Sequence, residues 1–365
     1  IEQVANLINN SVRPYIYAGG GIISSESCQE VKTFAEKANI PVGVSLMAKS
    51  AFPANHPLAT GMIGMHGTKA SNTAINKADL VIVLGARFSD RVISDPSKFA
   101  VNTKFIHIDI DSAEINKNIK TCASIIGNLK DILTKLIPLV KERKKSEWND
   151  YVSELKSHIP PMYTKKTALH PKFVCEKVNQ IAGDDTIITT EVGQHQMWVA
   201  QFYPFSKPRT LLTSGGLGTM GYGTGAAIGA QTAFPNRTVV HFAGDGSFRM
   251  NCNELATIQY YNLPIIIIVV NNGVLGMVRQ WQNLFYEKRF SETTLDRGPD
   301  FVKLAEAYGI QGFKAKNEEE FETVFKKAYE SRKPTIIDCN MNIDEMVLPM
   351  VPAGKPIDQL LLEVE

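Results

Sequence analysis

The residues whose types and spacing best combine for chemistry are Gly244-Asp245-Gly246, with Ser247 behind them, and Asn271-Asn272. Asp245 offers a carboxylate and Asn272 an amide carbonyl. A hard-oxygen pair of this kind suits Mg²⁺, which takes one or two carboxylates and completes its octahedron with water and ligand phosphates. Gly244 and Gly246 have no Cβ, so the backbone can turn sharply and let a diphosphate approach its N–H groups. Together these residues read as a clamp for one divalent cation and a diphosphate.

Such a clamp needs elements that bring its two halves to one place. Residues 238–242 (T-V-V-H-F) run as a strand into the Gly-Asp-Gly turn, 253–261 has helical spacing, and 264–270 is apolar and β-branched enough for a buried parallel strand. A right-handed βαβ crossover sets the carboxyl ends of neighbouring strands on one sheet edge, about 4.8 Å apart. Asp-Gly and Asn-Gly taken singly are common turn formers. Their joint placement at the ends of two parallel strands resembles the signature of thiamine-diphosphate enzymes.

The surrounding half continues the alternation. A helix at 171–181 leads to a strand at 185–190, followed by Glu191-Val192-Gly193-Gln194-His195-Gln196-Met197-Trp198. A short strand at 211–213 precedes the glycine-rich loop 214–225 (S-G-G-L-G-T-M-G-Y-G-T-G), whose glycines and following helix N-terminus could face a phosphate. Val274 to Trp281 begins where the Asn-Asn strand stops, so its side chains should hang over the cation site. Strands and helices over 301–340 complete the layer, and 344–356 is a Pro-rich tail.

The first half is a second α/β alternation, with strands at 14–18, 41–45, 79–85 and 104–110 and helices at 25–38 and 129–141. In such a fold ligands lie at the carboxyl ends of the strands. Gly19-Gly20-Gly21, Gly61 to Thr68, Gly85 to Arg91 and His107 to Asp111 fall at strand ends or in glycine-rich turns. They offer backbone donors, two arginines and acids to a large anionic ligand such as a dinucleotide. The fold class is therefore α/β, with two doubly wound, mainly parallel-sheet domains. Residues 1–145 form the first, 146–169 a linker with one helical turn or more, and 170–365 the second with its tail.

Several segments narrow the resemblance to acetohydroxyacid (acetolactate) synthase catalytic subunits: Gln194-His195-Gln196-Met197-Trp198, Gly215 to Gly221, Leu275 to Trp281, and the tail V-L-P-M-V-P-A-G. The likeness implies that Val192, Gly193, Gln194, His195, Gly218 and Met220 line thiamine diphosphate. It adds Leu275 to Gly244, Asp245, Gly246, Ser247 and Asn272 in the clamp, and the Val274 carbonyl to Asp245 and Asn272 as ligands of Mg²⁺. Met277 and Trp281 would shape the substrate pocket, the indole selecting the acceptor. In the first domain the likeness implies FAD, contacted by Gly19, Gly20, Met65, His66, Gly85, Arg87, Arg91, Asp109 and Ile110. His107, in mid-strand, is expected to be a core histidine.

The implied reaction decarboxylates pyruvate and joins the two-carbon remainder to a second 2-oxoacid, pyruvate or 2-oxobutyrate, for branched-chain amino-acid synthesis. No net redox occurs, so FAD would be structural. The family draws its cofactor-activating glutamate from a separate N-terminal pyrimidine-binding domain across a dimer interface, and no segment here resembles that domain. Glu191 and Glu254 lie on the diphosphate side. The chain is therefore expected to be a two-domain portion, inactive alone, of an enzyme that is a homodimer or higher oligomer with a possible small regulatory subunit. Another thiamine-diphosphate carboligase, a pyruvate oxidase or a non-catalytic nucleotide-binding module are the alternatives.

Composition agrees with a soluble protein: 39 basic against 37 acidic residues give a formal charge of +2, no reason to expect nucleic acid or membrane as a partner. Five scattered cysteines without a C-x-x-C favour a reducing compartment, hence the cytoplasm, and argue against a zinc site or disulfide frame. The chain opens on Ile1 in what reads as the end of a helix, so a preceding segment is expected.

Overall fold

A run of apolar residues buried on both sides must be a strand covered by helices on each face. Pro14–Ala18 (β1) meets that condition at every position in the computed structural model, which describes residues 1–157 and 169–363. Around it lie Val42–Val44 (β2), Ala59–Met62 (β3), Leu80–Leu84 (β4), Lys104–Asp109 (β5) and Ala123–Ile126 (β6), ordered β3-β2-β1-β4-β5-β6 with every pairing parallel. Alternate residues serve two cores. Ile16, Ile82 and Ile106 pack with Phe34 and Leu133 on one face, while Tyr15, Val81 and Phe105 join a cluster with Ile75 and Trp148 on the other. The order reverses direction at β1 and β4, the crevice where such sheets bind ligands.

The second unit is built likewise. Its strands are Ile187–Thr190 (β7), Leu211–Leu212 (β8), Val239–Gly244 (β9), Ile266–Asn271 (β10), Gln311–Ala315 (β11) and Thr335–Asn340 (β12), all parallel, in the order β11-β12-β10-β9-β7-β8. Ile187, Val239, Ile267 and Ile336 pack against Phe248, Leu255 and Phe301. Here the reversal falls at β7 and β9. The two doubly wound α/β sheets expected from the sequence are both present.

Some elements differ from expectation. Strands β3 and β6 were not expected. The helix expected over 25–38 is present as Cys28–Ala38, and a short helix that was not expected, Gly21–Ser24, precedes it, the two separated by Glu26 at φ 55°. The helix expected to reach 141 ends at Leu136 and tightens into a 3₁₀ turn over Ile137–Leu139, because Pro138 has no N–H to continue it. Within the expected linker, Glu147–Ser157 is a helix whose Trp148 and Val152 are buried, the indole N–H donating to the Pro14 carbonyl at 2.9 Å. Residues 158–168 of that linker, and 364–365 of the tail, lie outside the described residues. Phe205–Arg209 and the tail from Leu348 cluster with the first unit.

Candidate functional site

Val270 pairs with Gly244 in the β9–β10 ladder, so Asp245 and Asn272 follow adjacent strand tips on one sheet edge. Asp245 opens the short helix Asp245–Phe248 and is 2% exposed. Burial pushes its carboxyl up to about 6, against N–H donation from the Asp245, Asn272 and Gly246 backbone and the charge of Arg249. Its Oδ2 meets no donor among the described residues. A buried carboxylate oxygen without a partner is costly, and a cation beside it would remove that cost.

The cavity next to Asp245 is lined by Val192 to His195, Met220, Gly244 to Ser247, Asn272, and Val274 to Val278. Two longer helices start at its wall, Gln194–Phe202 and Gly276–Phe285, and neither has a side-chain cap. Their first-turn N–H groups have no intrahelical acceptor and carry partial positive charge, which favours a diphosphate. Gly193 stands at φ 148°, a value that suits glycine. His195 packs so close to Gly244 that a Cβ there would lie 2.8 Å from Nδ1, and burial lowers the imidazole to about 4, leaving it neutral at pH 7. Among the described residues no group of three or more His, Cys, Asp or Glu could hold a metal. The oxygen donors at hand are one carboxylate, an amide and peptide carbonyls, a set that leaves phosphate oxygens to complete the shell of a Mg²⁺ ion.

The glycine-rich loop departs from its expected role. The N–H groups of Gly221, Gly223 and Thr224, at the start of helix Tyr222–Ala233, donate to the buried carboxylate of Glu191 and are not free for a phosphate. Burial is the largest influence on Glu191 and opposes ionisation, yet His241 and these N–H groups together hold its pKa below the usual value. Gly223 is needed for close packing, since a Cβ would lie 2.4 Å from His241 Cε1. Leu217 is 91% exposed, and of the loop only Met220 reaches the cavity; Gly218 stays outside its lining. Sequence reasoning missed Glu191 as the cap because the contact spans about thirty residues and no local motif announces it.

Met277 lines the cavity beside Asp245 and also a second one with Val278, Trp281, Gln282, Tyr286 and Arg289. Trp281 is partly exposed and packs edge-on against Phe285 at 5.2 Å between ring centroids. Asn271 turns away from the cavity and donates to Asp338 at 2.8 Å.

In the first unit the residues expected at FAD lie at or just beyond the carboxyl ends of β1, β3, β4 and β5. Gly19 and Gly21 are required by backbone contact rather than by a ligand: a Cβ at Gly19 would lie 2.1 Å from the Gly85 carbonyl, and one at Gly21 2.7 Å from Gly85 Cα. Gly20, beside them, is half-buried, and Gly85 is at φ 57°. The loop carrying Met65 and His66 is tied to Arg91 and Val351 through the Met65 peptide, at 2.8 and 2.7 Å. Buried Asn72 bridges both peptide groups of Gly64 at 3.0 and 2.9 Å. His66 is buried, which lowers it to about 4 against a bond to the Pro349 carbonyl. Arg87 and Arg91 are exposed, Asp109 accepts the Asp111 N–H at 3.0 Å, and Ile110 is 73% exposed. His107 is a core histidine whose Nε2 lies 3.0 Å from the Ala86 carbonyl.

Residues 191–339 match the family model for the thiamine pyrophosphate enzyme C-terminal TPP-binding domain, and residues 1–136 that for the central domain. The chain belongs to the thiamine pyrophosphate enzymes. More narrowly, it is a homologue of acetolactate synthase large subunits. It is 47% identical to a probable acetolactate synthase large subunit of Methanocaldococcus jannaschii over 97% of this chain and 61% of that protein. It is 44% identical to the acetolactate synthase large subunit of Corynebacterium glutamicum over 97% and 58%, and 43% identical to that of Lactococcus lactis over 99% and 63%. The chain thus spans about three-fifths of the length of these relatives.

Proposed function

We propose that this chain supplies the diphosphate-binding and acceptor-binding side of an acetolactate synthase, which joins a two-carbon unit from pyruvate to pyruvate or 2-oxobutyrate in branched-chain amino-acid synthesis. The observation that carries the reading is the unpartnered, buried Asp245 oxygen beside Asn272, at a cavity where two uncapped helices begin. Thiamine diphosphate, when bound, supplies the carbon nucleophile for decarboxylation and carbon–carbon bond formation. Asp245, Asn272 and the Val274 carbonyl would hold Mg²⁺, and the N–H groups at Gln194 and Gly276 would receive the diphosphate. Neutral His195 and the side chains of Val192, Met220 and Leu275 exclude water around it. Met277, shared by both cavities, would set the boundary between cofactor and acceptor, with Trp281 selecting the acceptor's side chain.

FAD would lie at the carboxyl edge of the first sheet, with Arg87 and Arg91 toward its phosphates and a structural role. The carboxylates of this site are committed, Asp245 to the cation and Glu191 to a helix start. The proton-activating glutamate would therefore come from a separate pyrimidine-side domain across a homodimer interface. A small regulatory subunit and a cytoplasmic location complete the proposal; no helix among the described residues is long and apolar enough to cross a membrane. The test is to mix the purified chain with a separately produced pyrimidine-binding domain, Mg²⁺, thiamine diphosphate and pyruvate. Acetolactate should appear only in the mixture. Robust turnover by the 365-residue chain alone would refute the division of labour, and acetyl phosphate in place of acetolactate would refute the reaction.

A further inference from the structure

Asn272 is useful to a cation only if its carbonyl oxygen, not its NH₂, faces the ion, and the two ends of an amide have nearly the same shape. Something must decide which end points inward. Backbone groups have fixed polarity, so a chain of amides anchored on them can be read without ambiguity. The Val347 N–H lies 2.8 Å from one terminal atom of Gln280, which must be Oε1, and the Val347 carbonyl lies 3.1 Å from the other, which must be Nε2. Gln280 Oε1 also lies 2.9 Å from a terminal atom of Gln194, which must then be Nε2. The Glu345 carbonyl, 2.9 Å from that same atom, demands the same assignment. The other end of Gln194 is Oε1, and it takes the Nδ2–H of Asn272 at 3.0 Å. What remains of Asn272 is Oδ1, which takes the Val274 N–H at 3.3 Å and keeps a second lone pair for the cation.

Gln280 is 3% exposed, and both glutamines are buried. Flipping any one amide would face donor to donor or acceptor to acceptor, leaving buried polar groups unpaired at a cost of about 1–3 kcal/mol for each. We infer that Gln280, through Gln194, is a positioning residue that locks Asn272 with its carbonyl oxygen available to the cation, the polarity being set by the backbone of residues 345–347. The inference rests on the reading of Asp245 and Asn272 as the cation site.

The test titrates Mn²⁺ into the full chain at saturating thiamine diphosphate and follows free Mn²⁺ by electron paramagnetic resonance. Gln280→Leu should weaken Mn²⁺ binding about 10–100-fold, the usual effect of removing an outer-shell partner. In an Asn272→Asp background the order should reverse. The intact relay would point Gln194 Oε1 at a carboxylate, and Gln280→Leu removes one of the two acceptors that hold Gln194 in that sense, leaving only the Glu345 carbonyl, so Gln194 can turn to donate at lower cost and binding there should be unchanged or tighter. A generic loss of packing cannot give that reversal. Gly276→Ala is an independent variant. Its Cβ would lie 1.9 Å from Gln194 Oε1 and 2.7 Å from Asn272 Nδ2, both side-chain ends that can shift, so the chain should stay folded by circular dichroism, melting a few degrees lower, yet bind Mn²⁺ more weakly. Equal weakening by Gln280→Leu in both backgrounds would overturn the inference, as would binding within twofold of the parent by Gln280→Leu and Gly276→Ala; either result leaves the clamp standing. A parent chain that binds no Mn²⁺ would overturn the clamp and the inference with it.

Discussion

Replacing Asp245 by Asn should make the cation-free chain more stable while abolishing its cation site. In the folded chain burial raises the carboxyl to about 6; in an unfolded chain it titrates near 4. The folded state therefore holds the proton more tightly than the unfolded state. Below about pH 4 both are protonated and there is no penalty. Between about pH 4 and 6 the penalty grows, and above that it is constant at roughly 3 kcal/mol, two pKa units at about 1.4 kcal/mol each. Asparagine removes the charge but leaves a neutral, unpartnered NH₂ where Oδ2 stood, so the net gain at pH 7.5 is about 2 kcal/mol. Differential scanning calorimetry in EDTA should show the transition of the second unit rising by about 4–8 °C. The gap should close near pH 4. With Mg²⁺ and thiamine diphosphate the order should reverse, since only the carboxylate holds the cation. A variant that melts with or below the parent at pH 7.5 in EDTA would refute an uncompensated buried charge at this position.

Three further outcomes are expected. Glu191→Gln keeps one acceptor oxygen but loses the charge and sets an NH₂ against one of the N–H groups of Gly221, Gly223 and Thr224, and should cost about 2–4 kcal/mol in chemical denaturation; unchanged stability would contradict the capping role. His66 is held at about 4 by burial, below its ordinary value near 6.5, so its contribution to stability is lost as pH falls through that window. His66→Gln should flatten the pH dependence of unfolding between about pH 4 and 6.5 by up to about 1.4 kcal/mol per pH unit, and an unchanged slope would show that His66 already charges in the folded state. Trp281→Leu, assayed in the reconstituted enzyme with pyruvate and 2-oxobutyrate in competition, should change the product ratio by about 10-fold or more, the scale on which one methylene is discriminated. An unchanged ratio would remove the indole from acceptor selection.

The parts of the fold legible in the sequence are those whose signal is local. The aliphatic run Ile265 to Val270 could only be a buried strand, and Glu318–Ser331 has the period and acidic first turn of the helix it forms. Strand β3 was hidden because it is four residues long and ends in the glycine-rich loop, and β6 because its residues alternate between half-buried and exposed. At the site, Asp245 and Asn272 were legible because a βαβ crossover carries neighbouring strands to one edge. The roles of Glu191, Gln280 and Val347 were not, since each depends on a contact spanning about thirty to seventy residues. The glycine-rich loop misled for a related reason: glycine serves close packing and ligand approach equally, and what separates them is the position of His241 and the Thr190–Glu191 peptide behind Gly223.

The central claim is that Asp245 and Asn272 together grip one divalent ion and, through it, a diphosphate. Isothermal titration of thiamine diphosphate into the chain with Mg²⁺ and with EDTA, repeated for Asp245→Asn, tests it most directly. Binding should require Mg²⁺ in the parent and be lost in the variant. Equal binding in EDTA, or a variant that binds like the parent, would contradict it.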